Sequence, residues 1–274
     1  MKRILLILTL LLPPLLWGQN KKKITVLDYL EINTLAYYEE EKEYETLKTD
    51  TILFKYNKQG TLYFIDINKE IALPLTFNEH HQLIAIDSTI TLSYKDDLLH
   101  QTKVSSSDFD NRKTERIAYT YNNERLLSLI EFTYYTSRIQ EPFISVYKYE
   151  YDEKKRIIAT THLSDTERNK KNIINKKTVF TYDNARNGFE SIPFFSTNII
   201  VGSDELNLLM FTNYKLSNNI TSITNNQEVT KIDYTYDKNN LPKTAFMYPA
   251  TKEFDESTFY TKYIYHYKEI EIIE

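Results

Sequence analysis

Asp108, Asp110, Asn111 and Glu115 cluster in a polar stretch directly after Ser105-Ser106-Ser107. Carboxylate and amide oxygens in alternation suit a hard cation such as calcium, but a calcium loop also needs a glycine at its sharp turn and a fixed ligand spacing. Both are missing, so the stretch reads as a solvated hairpin turn and no metal is assigned. His80 and His81 would point to opposite faces of a strand and could not share an ion. His100, His162 and His266 have no carboxylate or histidine at ligand-like spacing and read as surface or edge residues. The chain has 0 cysteines, which excludes a disulfide framework, thiolate metal sites, a cysteine nucleophile and a lipid-anchored cysteine; it is not expected to be a lipoprotein. Two strand-borne carboxylates able to cleave a glycoside would leave no sequence signal, and this is the enzymatic alternative. With no recognisable catalytic motif, no catalytic, cofactor-binding or metal-ligating residue is assigned, no cofactor is expected, and the chain reads as non-enzymatic.

Charge points to surfaces instead. Arg168, Lys170, Lys171, Lys176 and Lys177, joined by Lys154, Lys155 and Arg156, would suit an anionic envelope polymer, although such runs are usually only solvated. Glu39, Glu40, Glu41, Glu43 and Glu45 form the acidic counterpart, and Asp96-Asp97 reads as a turn. Asp50-Thr51-Ile52 and Asp87-Ser88-Thr89 look like short acceptors for O-glycosylation of exported proteins. With 34 basic and 38 acidic side chains the formal charge is -4, so no global field favours nucleic acid.

The elements that would position these residues are strands. Tyr147, Tyr149 and Tyr151 alternate with Val146, Lys148 and Glu150, a period of two. Internal repetition follows: Tyr119-Thr120-Tyr121-Asn122, Tyr149-Glu150-Tyr151-Asp152, Phe180-Thr181-Tyr182-Asp183 and Tyr234-Thr235-Tyr236-Asp237 each precede a short polar turn, with weaker copies beginning at Phe54, Leu75, Leu92 and Tyr214. Each unit reads as a β-hairpin whose two same-face aromatics pack on its neighbours and whose Asp or Asn closes the turn. With 4 glycines in the chain, asparagine is expected to carry positive φ, in Asn122-Asn123, Asn218-Asn219, Asn225-Asn226 and Asn239-Asn240. Asn187-Gly188 is a strong turn signal and Gln59-Gly60 a looser one. Uneven spacing between units disfavours a strict solenoid. The fold expected is all-β: a single long, curved antiparallel meander of repeated hairpins. A register reset is expected near Lys268-Glu269, where the apolar set passes from Tyr263, Tyr265 and Tyr267 to Ile270 and Ile272. Residues 27–49 fit neither period well and read as strand, with a short helix as the alternative.

The unit Tyr-x-Tyr-[Asp/Asn]-x-x-x-[Arg/Asn]-[Leu/Ile] resembles the YD repeat of Rhs-type proteins, and more closely exported proteins of Gram-negative bacteria with degenerate YD-like hairpins. The repeats span Phe54 to Leu241, and Arg125 and Arg156 keep the arginine of the family's Gly-Arg turn, with Glu124 and Lys155 in place of its glycine. The resemblance implies a hairpin sheet; large members wind theirs into a shell around cargo, using far more strands than this chain can supply.

Lys2 and Arg3, the apolar run Ile4–Leu12, Pro13-Pro14 and the small Gly18 before Gln19 read as a secretory signal peptide over 1–18, followed by one domain over 19–274. The run is too short and proline-broken for a helical span, which takes ~20 apolar residues, so the chain is expected not to be membrane-spanning. These features together predict an exported, periplasmic or cell-surface scaffold or binding protein of the bacterial envelope, whose partner is another envelope protein or a polysaccharide met through a sheet edge or spare tyrosines. A carbohydrate-active hydrolase or glycan-binding protein is the alternative.

Overall fold

The computed structural model describes residues 21–38, 42–104, 112–136, 139–165, 173–190, 192, 218–250 and 259–273. Sixteen strands follow one another: β1 (Lys21–Tyr38), β2 (Glu43–Tyr56), β3 (Leu62–Ile67), β4 (Ile71–Phe77), β5 (Leu83–Ile86), β6 (Ile90–Lys95), β7 (Leu98–Val104), β8 (Arg112–Tyr121), β9 (Leu127–Thr136), β10 (Ile139–Tyr151), β11 (Ile157–Asp165), β12 (Ile173–Tyr182), β13 (Ile220–Asn225), β14 (Glu228–Tyr236), β15 (Pro242–Pro249) and β16 (Phe259–Ile273). Each pairs antiparallel with its sequence neighbour, and β1 pairs with β16 to close the barrel. The all-β hairpin meander is thus as expected; its closure is the added feature. The seam runs from Lys21↔Ile273 to Ala36↔Phe259, and closure removes the free edges through which an open sheet would recruit a partner.

The repeat encodes one end of the barrel, here the turn end. At Asn57, Asn78, Asn122, Asp152 and Asp237 the residue's own carbonyl accepts the N–H three residues on. Its side-chain oxygen accepts the N–H four residues on. The fourth residue of each turn lies in the left-handed region: Gly60, His81, Arg125, Lys155 and Asn240 have φ between 58° and 78°. The expectation that asparagine carries positive φ holds at Asn226 and Asn240, while Asn122 instead supplies the side-chain acceptor and Arg125 takes the strained backbone. Arg125 and Arg156 therefore occupy different slots, the first at positive φ and the second one residue beyond it.

The second tyrosine of the repeat has a specific partner. Tyr56, Tyr94, Tyr121, Tyr151 and Tyr182 donate their hydroxyls to the main-chain carbonyls of Leu27, Leu83, Leu99, Leu127 and Ile157, at 2.6 to 2.9 Å. Each reaches from the end of one strand to the strand before it, so the slot asks for an aromatic body in the core and a polar tip at the rim.

One face of the sheet is packed. Leu27, Leu30, Phe54, Leu62, Ile65, Leu83, Leu99 and Ile130 are at most 1% exposed and belong to one contiguous cluster that continues through Phe180, Ile232, Tyr263 and Tyr265. Tyr147, Tyr149 and Tyr151 of β10 pack against it, as the core reading of the tyrosines requires. The other face carries exposed polar pairs such as Lys177–Glu150 at 2.8 Å, Thr235–Thr244 at 2.7 Å and Thr181–Ser222 at 2.7 Å. The apolar side is the inner one, and its side chains form one contiguous buried cluster among the described residues.

Residues 27–49 are strand, not helix. Register shifts at Leu27/Tyr29 and Thr34/Leu35 flip the facing of successive stretches, which explains why neither period fitted. The reset foreseen at Lys268-Glu269 is absent from β16; it lies opposite, at Asp28 of β1, and Asp28 holds Lys268 at 2.6 Å. Ile270 and Ile272 pack with Ile24 around Gly60, where an added Cβ would come within 2.8 Å of Ile272 and 3.1 Å of Ile24. The expectation that the chain is not membrane-spanning is also corrected. It rested on counting apolar helices, and although no helix among the described residues is long and apolar enough to cross a membrane, a closed sixteen-stranded barrel belongs to the architecture that crosses with strands.

Candidate functional site

Two places on the barrel gather polar side chains where the core would otherwise exclude them. The first is a plug at the turn end. After β12 the chain does not turn directly into β13; Gly188, Phe189 and Ile192 fold into the mouth, with Phe189 7% and Ile192 1% exposed. The Phe189 ring meets Tyr265 edge-on at 5.9 Å. Burying this backbone leaves polar groups that must be paired, and Asp183 and two asparagines do so. Asp183 Oδ1 accepts the N–H groups of Ala185 and Asn219, each at 3.0 Å. Asp183 Oδ2 accepts Asn219 Nδ2 at 3.2 Å and a close hydrogen bond from the Tyr236 hydroxyl. Asn219, 2% exposed, also donates to the Arg186 carbonyl at 2.9 Å. Asn187, 1% exposed, donates to the Asn218 carbonyl at 2.9 Å and accepts the Phe189 N–H at 2.8 Å. Arg156 ties the neighbouring turn in: Nε donates to Asp152 at 2.7 Å and Nη1 to the Asp183 carbonyl at 3.4 Å. Arg186 pairs closely with Glu190, and that hydrogen bond raises the guanidinium pKa against the opposing effect of burial. With both Asp183 oxygens occupied by donors, this network is a latch for the plug; it offers no free acid or base.

The second place is on the packed face of β9 to β12, toward the opposite end. The His162 imidazole lies parallel to the Tyr147 ring, centroids 4.3 Å apart and planes 7° apart, and the Phe132 ring meets Tyr147 edge-on at 5.6 Å. His162 Nε2 is 2.7 Å from Ser145 Oγ. His162 faces Tyr147 on β10 and Lys176 on β12 in register, so Ser145 reaches it along the diagonal. A half-buried serine hydrogen-bonded to an imidazole held flat by stacking is the chemically competent arrangement among the described residues.

No protein-family model matches the chain, and no curated protein matches it. Among solved structures, a porin-like protein from Bacteroides uniformis ATCC 8492 is 13% identical and covers 88% of this chain and 96% of its own, with a TM-score of 0.47. A porin-like protein from Bacteroides vulgatus ATCC 8482 is 12% identical and covers 72% and 94%, with a TM-score of 0.41. The TcdB2-TccC3-Cdc42 structure is 12% identical over 88% of this chain but 13% of that one, with a TM-score of 0.35. Every score is below 0.5; the fold is defined by the chain's own strand pairing.

The residues singled out in the sequence are mostly dispersed. Asp108, Asp110 and Asn111 lie outside the described residues, and Glu115 sits at a register shift of β8. No group of three or more His, Cys, Asp or Glu among the described residues could hold a metal. His80 and His81 occupy a turn, not a strand, with His81 at φ 58°; His100 is exposed. His266 stacks on Tyr29 at 3.9 Å. His162, read as a surface or edge residue, is instead packed against Tyr147. Asp96 and Asp97 form the expected turn, both at positive φ.

The charged runs do not converge. Arg168, Lys170 and Lys171 lie outside the described residues. Lys155 pairs with Glu124 at 3.4 Å, Arg156 with Asp152 and Lys177 with Glu150, which leaves these three neutralised by partners. Glu39, Glu40 and Glu41 are likewise outside, while Glu43 and Glu45 are exposed. Thr51 lies within β2, its N–H bound to Asn68 at 2.7 Å, and Ser88 sits in an exposed turn. Neither the latch nor the serine–histidine pair was legible, because Asp183 meets Asn219 and Ser145 meets His162 only through strand register.

Proposed function

We propose that this chain is an exported protein of the bacterial envelope whose barrel is a filled body and not an aqueous pore, acting through its surface as a scaffold or binding module. The contiguous apolar cluster on the inner face of the sheet supports this reading. A conducting barrel lines its channel with polar side chains, whereas here Leu, Ile, Phe and Tyr from around the ring meet inside. The plug, latched through Asp183 and Asn219, adds a second obstruction at the turn end. Export is supported by the basic start, the short apolar run and Gly18 of the expected leader. N-terminal sequencing of the native protein should begin at Gln19. The decisive test is conductance: purified protein reconstituted in planar bilayers should show no discrete current steps, and in liposomes no solute-dependent swelling. Reproducible single-channel steps would overturn the filled-body reading.

A further inference from the structure

We infer that Ser145 is a nucleophile activated by His162, and that the inner wall of β10 and β11 can be acylated by a small activated ester. The inference goes beyond the scaffold reading and rests on different residues. Three observations carry it. Ser145 Oγ lies 2.7 Å from His162 Nε2, within the range over which a base withdraws a hydroxyl proton. The imidazole plane is fixed by the Tyr147 ring at 4.3 Å and 7°, and that ring is held in turn by the edge of Phe132, so the base is oriented by packing. Lys176, exposed and opposite His162 on β12, brings a cationic side chain next to the base on the same face of the sheet, available to an anionic intermediate.

The reaction is ordinary acyl transfer. Ser145 Oγ forms a bond to the ester carbonyl carbon as His162 Nε2 takes the hydroxyl proton. The carbon–oxygen bond to the leaving alcohol breaks, and the imidazolium returns that proton to the departing oxygen. Water then attacks the acyl-serine by the same route, His162 taking its proton and passing it to Ser145, so that acid is released and the serine restored. Ser145 is half-buried and Lys176 beside His162 is exposed, so the pair is not sealed in the packed core.

The test uses the full mature chain. An alkyl fluorophosphonate should phosphonylate Ser145, with a phosphorus–oxygen bond formed and fluoride lost, giving one adduct on the peptide that contains Ser145. Hydrolysis of p-nitrophenyl acetate should fall about 100-fold or more in Ser145→Ala and in His162→Gln, the lower end of what a positioned base supplies. The rate should rise with pH along the neutral imidazole. Near-ultraviolet tyrosine dichroism reports whether each variant keeps its fold; if one does not, labelling of the unaltered protein still decides. No adduct at Ser145 in the folded protein, or an equally fast adduct in folded His162→Gln, would overturn the inference while leaving the conductance result untouched.

Discussion

Replacing Tyr121 by phenylalanine removes one oxygen and nothing else from the repeat, and so isolates what the tyrosine slot contributes. The Tyr121 hydroxyl donates to the Leu99 carbonyl at 2.9 Å, and Leu99 is 1% exposed. Losing a buried hydrogen bond of this kind costs about 0.5–1.5 kcal/mol net, rising toward 1–3 kcal/mol when the abandoned acceptor cannot reach water. A loss of about 1–2 kcal/mol should lower Tm by roughly 2–8 °C in a chain of this size. The assay is thermal unfolding followed by far-ultraviolet dichroism, with urea titration as a check on the free energy. Tyr63, 44% exposed, provides the control: Tyr63→Phe should stay within about 0.5 kcal/mol of the parent. Phe77 occupies the same slot on β4, and Phe77→Tyr places a hydroxyl toward the start of β3; it should stabilise by up to about 1 kcal/mol. Tyr121→Phe matching Tyr63→Phe would refute the idea that the repeat selects tyrosine for its hydroxyl, and would reduce the slot to apolar filling.

Other perturbations test the turns and the plug. Gly60→Ala forces a Cβ onto a residue at φ +78° and to within 2.8 Å of Ile272 Cγ2; it should destabilise by about 1–3 kcal/mol in urea unfolding. Gly188→Ala brings a Cβ to 2.7 Å from the Tyr265 ring and 2.9 Å from Pro242, and should unseat the plug, seen as faster amide exchange at Phe189 with the barrel core still protected. Lys155→Gly should raise stability by up to about 1 kcal/mol, because Lys155 holds φ 62° and glycine does so without steric cost. Burial opposes ionisation of Asp152, but the Arg156 N–H, guanidinium hydrogen bond and charge together hold its carboxyl below the ordinary 3.8. Its contribution is thus present above the ordinary carboxylate range and is lost as pH falls through the depressed value. Asp152→Asn should accordingly flatten the acid limb of the stability profile and leave stability near neutral pH less changed by further acidification.

Much of this architecture was legible because its information is local. The Tyr-x-Tyr-Asp/Asn grammar places strand ends, turn openings and core face within about ten residues, and period-two alternation fixes which side chains share a face. The partners of those groups were not legible. Tyr121 could be assigned to the core from its spacing, but its acceptor, Leu99, is specified by the pairing of β7 with β8. The left-handed residue of each turn was misassigned because position outweighs propensity: the four-residue geometry after Asn122 and Asp152 forces the strain onto Arg125 and Lys155, types that rarely adopt it. The plug had one local sign, Asn187-Gly188. It was read as a hairpin turn, whereas the closeness of Gly188 to Tyr265 and Pro242 shows an approach only glycine permits.

Closure itself depends on the termini, which carry no copy of the repeat. β1 and β16 pair over the longest register in the molecule, from Lys21↔Ile273 to Ala36↔Phe259, and their outer ends are joined by Lys21–Glu271 at 3.4 Å and Lys23–Glu269 at 3.9 Å. These surface pairs contribute little energy each. What they supply is register: in a two-residue side-chain period, a slip by one would take Lys23 from Glu271 to Ile270 or Ile272 and turn Tyr263 and Tyr265 out of the core. The bulge at Asp28, pinned by Lys268, then absorbs the change of facing between this charged ribbon and the aromatic wall below it. A hairpin repeat by itself leaves two open edges; the long pairing of β1 with β16 joins them into a closed ring whose inner face carries tyrosine and aliphatic side chains.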